Sequence, residues 1–224
     1  MRKLYVVGLG PGDPSLITVK GVNAIKESDV IFVPYSTGSN RSLALSVISP
    51  YLKKDAKIIT LGFPMAKRVN EEKLKEIGEI ICENASSISS FVTLGDPTLY
   101  STFFRISKFV DCIDKVEIIP GVSSVTACAS KAFISLAQGD EGIAVVPSSR
   151  LDLIELSKGK FETIVVMKGN ENLDLIAKLL SPLYTLIYAR RCYLDGEKVM
   201  SWDEKSYDRD YFSMLIGVRK SEDG

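Results

Sequence analysis

Two turns built from glycine, proline and an acidic residue are the parts of this sequence best suited to hold a small ligand. They are Gly95-Asp96-Pro97 and residues 8–14, and each follows a short apolar run typical of a buried strand. Ligands of open α/β sheets bind at the carboxyl ends of the strands, so Asp96 is a candidate for positioning a polar ligand. Taken alone, Gly95-Asp96-Pro97 is equally a turn that only ends a strand. The second turn of the same kind favours one shared cleft.

The absence of histidine narrows the chemistry, because the chain contains none. This excludes Ser-His and Cys-His nucleophile pairs and the usual His-ligated zinc or iron sites. The carboxylates form no cluster at metal-ligand spacing, so we predict no metal site. A reaction that needs little acid or base catalysis fits better, and the sequence identifies no catalytic general base.

Residues 8–12, Gly-Leu-Gly-Pro-Gly, also raise the alternative of a dinucleotide-binding turn. The third glycine of that pattern would fall at Asp13, whose carboxylate repels phosphate at a helix start. Asp29 precedes its strand, although a ribose-binding acid should follow it. Both departures argue against dinucleotide binding. A non-catalytic dinucleotide-binding regulatory domain is kept as the alternative from a different functional class.

Composition sets further bounds. The 28 basic and 28 acidic residues balance, which argues against a nucleic-acid or membrane-surface partner. The N-terminus enters a strand-like segment without an apolar stretch of signal-peptide length, so we expect a cytoplasmic protein. The cysteines have no paired spacing and lie mostly in apolar contexts, which predicts buried thiols at Cys82, Cys112, Cys128 and Cys192.

The chain alternates short β-rich runs with helical patterns, and this predicts an α/β fold with a mainly parallel N-terminal sheet. After the Gly95-Asp96-Pro97 turn, the apolar spacing predicts a helix from about Leu99 to Phe109. Pro120-Gly121 interrupts the pattern, so we place the domain junction there, with domains at residues 1–119 and 120–224. Asp195-Gly196 is a hairpin dipeptide between two strand-like runs. The C-terminal sheet should therefore be mixed.

Three segments, residues 8–14, 93–103 and 119–124, resemble in this order the motifs of the tetrapyrrole methylase family. The resemblance implies S-adenosylmethionine-dependent C-methyltransferases that form homodimers. It also implies two α/β domains with the methyl donor in the cleft between them. Phe63-Pro64-Met65, residues 39–44 and residues 95–102 resemble the members that methylate C20 of precorrin-2 or cobalt-factor II in cobalamin biosynthesis. The alternatives are a member acting on another ring carbon and the diphthamide methyltransferase, whose acceptor is a protein.

The resemblance also implies site residues. Expected contacts of S-adenosylmethionine are Leu94, Gly95, Asp96, Leu99, Ser123, Ser124, Met167, Ala189, Ser213 and Met214. Expected contacts of the tetrapyrrole substrate are Pro11, Gly12, Asp13, Arg41, Lys67, Arg68, Tyr100, Ser101 and Arg105. The four basic residues are candidates because the acceptor carries many carboxylates. Cobalt, where present, belongs to the substrate.

Several of these residues have an ordinary structural alternative. Met167 and Ala189 are equally explained by strand-end packing. Asp13 is also suited to cap a helix that starts at Ser15. Each basic candidate is equally a solvated surface charge. Tyr100 and Ser101 are placed either to orient the ring or to relay the proton that the methylated carbon loses.

Overall fold

The structure is a computed structural model that describes residues 1–36, 41–63, 70–204 and 210–220, with the side chains of Ser36, Arg41 and Ser42 outside this description. The chain divides into two compact units, Met1–Ser124 and Val125–Gly224. The first unit includes residues 120–124, which the sequence analysis assigned to the second domain. Lys67 and Arg68 lie outside the described residues, as do Ser39, Asn40, Pro64 and Met65 of the segments that carried the C20 resemblance.

The first unit contains one five-stranded sheet in the order β3-β2-β4-β1-β5. All of its strand pairs are parallel, as the alternation of strands and helices predicted. The strands are β1 (Lys3–Gly8), β2 (Val30–Ser36), β3 (Lys57–Phe63), β4 (Ile88–Thr93) and β5 (Lys115–Ile119). The α-helices are α1 (Val19–Glu27), α2 (Arg41–Ile48), α3 (Glu71–Asn84) and α4 (Phe103–Ile106).

Apolar residues cover both faces of this sheet. Leu4 and Val6 of β1 join one core cluster, and Val7, which points to the opposite face, joins another. Helix α3 closes the first cluster with Leu74 and Ile77. Parallel sheets are typically covered on both faces, as this one is. The turns at its carboxyl edge therefore extend from packed strands.

The second unit contains a mixed five-stranded sheet in the order β6-β7-β10-β8-β9. Only β6 and β7 pair in parallel, and the Asp195-Gly196 turn joins β8 to the antiparallel β9 as predicted. The strands are β6 (Ile143–Pro147), β7 (Thr163–Met167), β8 (Tyr184–Arg190), β9 (Lys198–Ser201) and β10 (Ser213–Arg219). The helices are α5 (Ser124–Lys131), which begins at the last residue of the first unit, α6 (Leu151–Ser157) and α7 (Leu173–Leu180).

The prediction of buried thiols is wrong, because the cysteines form two disulfides, Cys82–Cys112 and Cys128–Cys192. Their sequence separations of 30 and 64 residues leave no local signal, and only the packed fold brings each pair together. Disulfides persist in oxidising compartments and in the intracellular proteins of hyperthermophiles. A cytoplasmic location stays a prediction. Two disulfides in a cytoplasmic protein would fit a hyperthermophile. Within the described ranges, no helix is long and apolar enough to cross a membrane.

Candidate functional site

Three turns meet at the carboxyl edge of the first sheet. Gly10 and Gly95 exchange backbone hydrogen bonds, at 3.2 Å from Gly10 N–H to Gly95 O and 2.7 Å from Gly95 N–H to Gly10 O. Gly121 N–H donates to Asp96 Oδ2 at 2.9 Å. The turns follow β1, β4 and β5, which are neighbours in the sheet and run in the same direction. Residues 8–14, 95–98 and 120–124 therefore form one structure, which we call the three-turn cluster.

Glycine is required where these backbones touch. A Cβ atom added at Gly121 would lie 2.4 Å from Gly95 O and 2.7 Å from the carbonyl carbon of Gly8. One added at Gly8 would lie 2.6 Å from the backbone nitrogen of Gly121. No side chain can move aside to relieve such contacts, because both partners are backbone. The cluster is therefore closed by direct backbone packing.

Asp96 holds this cluster together. Its Oδ1 accepts the backbone N–H of Thr98 at 2.7 Å and also the Thr98 hydroxyl, while Oδ2 accepts the N–H of Gly121. Burial raises the pKa of Asp96, but the hydrogen bonds from Thr98 and Gly121 outweigh it and hold the pKa below the ordinary value. The carboxylate is therefore ionised at neutral pH and poorly suited to act as a general base. Its contact with a ligand stays a prediction.

The chain after Asp96 differs from the helix expected from about residue 99 to residue 109. Regular helix is limited to α4, since Leu99 N–H bonds Asp96 O at 3.3 Å and Tyr100 takes a left-handed φ of 55°. Tyr100 is 45% exposed, and burial of the rest of its ring raises the pKa of its hydroxyl. Ser101 Oγ accepts the N–H of Phe103 at 3.3 Å. The turn thus leaves Tyr100 exposed beside the three-turn cluster.

Apart from the basic residues, the remaining candidates of the first unit lie in or next to the three-turn cluster. Asp13 Oδ1 accepts the Ser15 N–H at 2.8 Å and the Ser15 hydroxyl at 2.7 Å, so Asp13 does cap the short 3-10 helix Pro14–Leu16. Pro11 and Gly12 are buried, whereas Leu94 and Leu99 are half-buried. Ser123 and Ser124 are half-buried as well, and Ser124 begins α5.

Four candidates of the second unit come together although they are scattered along the sequence. Met214 pairs with Met167 of β7 on one side and with Ala189 of β8 on the other, and Ser213 pairs with Arg190. This happens because β10 lies antiparallel between β7 and β8, so its first residues lie beside their last ones. Ala189, Ser213 and Met214 are buried, and Met167 is half-buried.

The basic candidates are only partly described. Arg105 is exposed on α4, and Arg41 is the first residue of α2, its side chain lying outside the description. The described residues therefore do not test whether the four basic side chains lie close together. In the described ranges, no group of three or more His, Cys, Asp and Glu side chains could hold a metal ion.

The sequence analysis missed the partners of Asp96. Thr98 supplies two of its hydrogen bonds and Gly121 supplies the third. The signal for Thr98 was present, since an aspartate followed two residues later by a hydrogen-bonding residue is the pattern of an Asx turn. Gly121 has no such local signal, because it reaches Asp96 only through the parallel order of the strands.

Comparisons with known proteins show which sequences this chain resembles. The sequence matches the model of the Tetrapyrrole (Corrin/Porphyrin) Methylases over residues 3–206. It is 36% identical to a protein named probable cobalt-precorrin-2 C(20)-methyltransferase from Methanocaldococcus jannaschii, over 96% of each chain. It is 30% identical to the cobalt-precorrin-2 C(20)-methyltransferase of Salmonella typhimurium, over 80% of this chain and 78% of that one.

A solved structure resembles the fold. The uroporphyrin-III C-methyl transferase of Thermus thermophilus, complexed with S-adenyl homocysteine, superposes with a TM-score of 0.70 at 21% identity. The superposition covers 96% of this chain and 97% of that chain. At this identity the likeness extends to the fold alone. It supports the arrangement of a parallel sheet in one unit and a mixed sheet in the other.

Proposed function

The chain belongs to the tetrapyrrole (corrin/porphyrin) methylases, and we propose that it transfers a methyl group from S-adenosylmethionine to C20 of precorrin-2 or cobalt-factor II in corrin-ring synthesis. The observation that carries this proposal is the similarity over nearly the whole chain to relatives named for that position of the ring. The main alternative within the family is methylation of a different ring carbon. A non-catalytic dinucleotide-binding domain is the alternative outside it.

The three-turn cluster suits a cationic ligand. Apart from Gly95 itself and its two chain neighbours, no described residue has an atom within 4 Å of the position that a Cβ would occupy at Gly95, so a ligand can approach the backbone there. The ionised carboxylate of Asp96 lies next to this opening. A fixed negative charge attracts the ammonium and sulfonium groups of S-adenosylmethionine and repels the pyrophosphate of a dinucleotide. The charge at this edge therefore favours the methyl donor over the dinucleotide alternative.

The reaction requires little acid or base catalysis from the protein. The sulfonium of S-adenosylmethionine supplies an activated methyl group. In the transfer, the bond from C20 to the methyl carbon forms as the bond from that carbon to sulfur breaks, and the sulfur leaves in neutral S-adenosylhomocysteine. The proton that C20 loses passes to solvent. The chain has to align the two reactants and exclude water, which fits a protein without histidine.

The donor contacts that we propose fall into two sets, each described within its own unit. The first set surrounds the Asp96 turn and consists of Leu94, Gly95, Asp96, Leu99, Ser123 and Ser124. The second lies at the paired ends of β7, β8 and β10 and consists of Met167, Ala189, Ser213 and Met214. The adjacency of the second set across three strands supports a common role.

For the acceptor, we propose that Arg41, Lys67, Arg68 and Arg105 bind its carboxylates. Tyr100 and Ser101 follow the donor turn directly and are suited to contact the ring, as are Pro11, Gly12 and Asp13. We also propose a homodimer, which sedimentation analysis tests. Cytoplasmic location is part of the same proposal.

Calorimetry tests the functional class. S-adenosylhomocysteine and NAD⁺ are titrated separately into the full-length protein, and binding of S-adenosylhomocysteine alone is the expected result. Binding of NAD⁺ without binding of S-adenosylhomocysteine would overturn the proposal in favour of the dinucleotide-binding alternative.

A further inference from the structure

The turn between β8 and β9 has an unusual backbone around Cys192. Arg191 and Tyr193, its two neighbours, adopt left-handed φ values of 51° and 65°, although neither is glycine. Such conformations are unfavourable for residues with a Cβ and persist only where the surroundings impose them. The contacts of this turn must therefore hold it in place.

Helix α5 supplies the strongest of these contacts. Cys128 of α5 forms the disulfide with Cys192, and both residues are buried, at 2% and 4% exposure. Lys131, on the same face of α5 as Cys128, pairs with Glu197 at 3.0 Å and lies 4.3 Å from the ring centroid of Tyr193. Glu197 in turn accepts the N–H of Tyr193 at 2.6 Å. A covalent bond and an ion pair thus fix the same turn.

The turn continues directly into the second set of donor candidates. Ala189 lies three residues before Cys192, and Arg191 N–H bonds Phe212 O at 2.9 Å. The Arg191 guanidinium pairs with Asp210, whose backbone oxygen accepts the Ser213 hydroxyl at 2.6 Å. Asp210 Oδ1 also accepts the N–H of Phe212 at 2.8 Å. A continuous chain of contacts therefore runs from Cys192 to the start of β10.

We propose that the Cys128–Cys192 disulfide is a positioning element of the donor site. It fixes the turn after β8, and through Arg191 and Asp210 it fixes Ser213 and Met214 beside Ala189 and Met167. This inference rests on the proposed function, because it assumes that these four residues contact S-adenosylmethionine. The disulfide itself touches no reactant.

The other disulfide provides a matched control. Cys82 lies near the end of α3 and Cys112 just before β5, so this bond joins segments at the amino edge of the first sheet. The three-turn cluster lies at the opposite, carboxyl edge. Removal of either disulfide should lower the melting temperature, because each closes a long loop. Only removal of Cys128–Cys192 should alter donor binding.

The test compares Cys128→Ala/Cys192→Ala with Cys82→Ala/Cys112→Ala, since alanine leaves no polar group in the buried site. We expect the dissociation constant for S-adenosylhomocysteine to rise about tenfold in the first variant, an effect of about 1.4 kcal/mol. It should be unchanged in the second. The KM for the donor should rise with it, while kcat at saturating donor stays the same.

Amide hydrogen exchange supplies a second readout. Exchange in residues 189–193 and 210–214 should accelerate in Cys128→Ala/Cys192→Ala and not in the control. If that variant does not fold, Lys131→Met keeps the disulfide and removes the ion pair to Glu197 together with the cation–π contact to Tyr193. It should produce a smaller rise in the same dissociation constant. Equal donor affinity in wild type and in the variants would overturn the inference and leave the proposed function standing. A wild-type protein that does not bind S-adenosylhomocysteine would instead overturn the proposed function.

Discussion

The Asp96 carboxylate accepts the backbone N–H of Gly121 at 2.9 Å and so ties together two turns that lie 25 residues apart in the sequence. The same carboxylate closes its own turn through Thr98. The Asp96 side chain thus bonds two segments of the three-turn cluster. A change at this position tests both the cluster and the proposed donor site.

Replacing Asp96 should weaken donor binding more than it alters the fold. Asp96→Ala leaves the N–H groups of Gly121 and Thr98 without their acceptor. The cost approaches about 1–3 kcal/mol at the half-buried Gly121 and is smaller at the exposed Thr98, whose N–H can bond water. We expect the first unit to stay folded with a lower melting temperature and the affinity for S-adenosylhomocysteine to fall. Calorimetry and thermal unfolding measure the two effects.

Asp29→Asn is the control for this change, since Asp29 forms a largely exposed ion pair with Lys53. It should leave donor affinity intact. Unchanged affinity in Asp96→Ala would remove Asp96 from the donor site.

Gly121→Ala should disrupt the cluster through steric overlap. The new methyl group would lie 2.4 Å from Gly95 O, and only a shift of the backbone can relieve that contact. We expect a loss of stability of several kcal/mol, at the upper end for single substitutions, together with weaker binding of S-adenosylhomocysteine.

Gly62→Ala on β3 is the matched substitution, because the nearest neighbour of the new methyl group is the hydroxyl of Tyr35 at 3.1 Å, the far end of a side chain instead of backbone. Thermal unfolding should separate the two variants clearly. Similar melting temperatures for both would contradict the close backbone packing described for the cluster.

The strands and turns that carry the site were predictable because their signals are local. The apolar run before Gly95-Asp96-Pro97 indicated β4 and the turn after it, and the alternating pattern indicated a parallel sheet. The position of β10 between β7 and β8 was not predictable, because strand pairing depends on residues far apart in the chain. For the same reason the spacing of Cys128 and Cys192 carried no sign of their disulfide.

The helix expected after Asp96 was predicted wrongly for a different reason. Here a local pattern was present, but the hydrogen bonds of the turn overrode it. Residues 99–109 have helical periodicity, yet regular helix begins only at Phe103. The hydrogen bonds of Asp96 with Thr98 and the left-handed Tyr100 keep the intervening chain in a turn. To predict this turn, one would have to recognise the Asx turn at Asp96 and give it more weight than the apolar spacing.

The stability of the first unit should depend on acid pH through Glu117. Hydrogen bonds from Lys20 and Lys3 lower the pKa of Glu117 from 4.5 to about 2. A carboxyl with a depressed folded-state pKa stabilises the protein above its unfolded pKa, and this contribution is lost as the pH falls through the folded value. Glu117→Gln should therefore lower the melting temperature at neutral pH, with the difference from wild type closing as the pH falls from 4.5 toward about 2.

Melting curves of the two proteins across this range measure the effect. Glu76→Gln serves for comparison, because Glu76 pairs with Lys73 within one exposed helical turn and should change the melting temperature little at any pH. A difference between wild type and Glu117→Gln that stays constant down to the lowest pH would contradict the ion-pair account.

Charge reversal at the basic candidates should separate the two substrates. Arg41→Glu, Arg68→Glu or Arg105→Glu should raise the KM for the tetrapyrrole by roughly tenfold, since each loses one charge-assisted contact with a carboxylate. Donor affinity should not change. Lys178→Glu, an exposed position on α7, is the control for a general effect of charge. Equal effects on donor and acceptor would count against an acceptor-binding role.

The most direct test is the position of the transferred methyl group. The protein is incubated with methyl-labelled S-adenosylmethionine and either precorrin-2 or cobalt-factor II, and the product is characterised by mass spectrometry and NMR. The account predicts one added methyl group, at C20 of at least one of these acceptors. A methyl group at any other ring carbon, or no transfer to either acceptor by protein that binds S-adenosylhomocysteine, would contradict it.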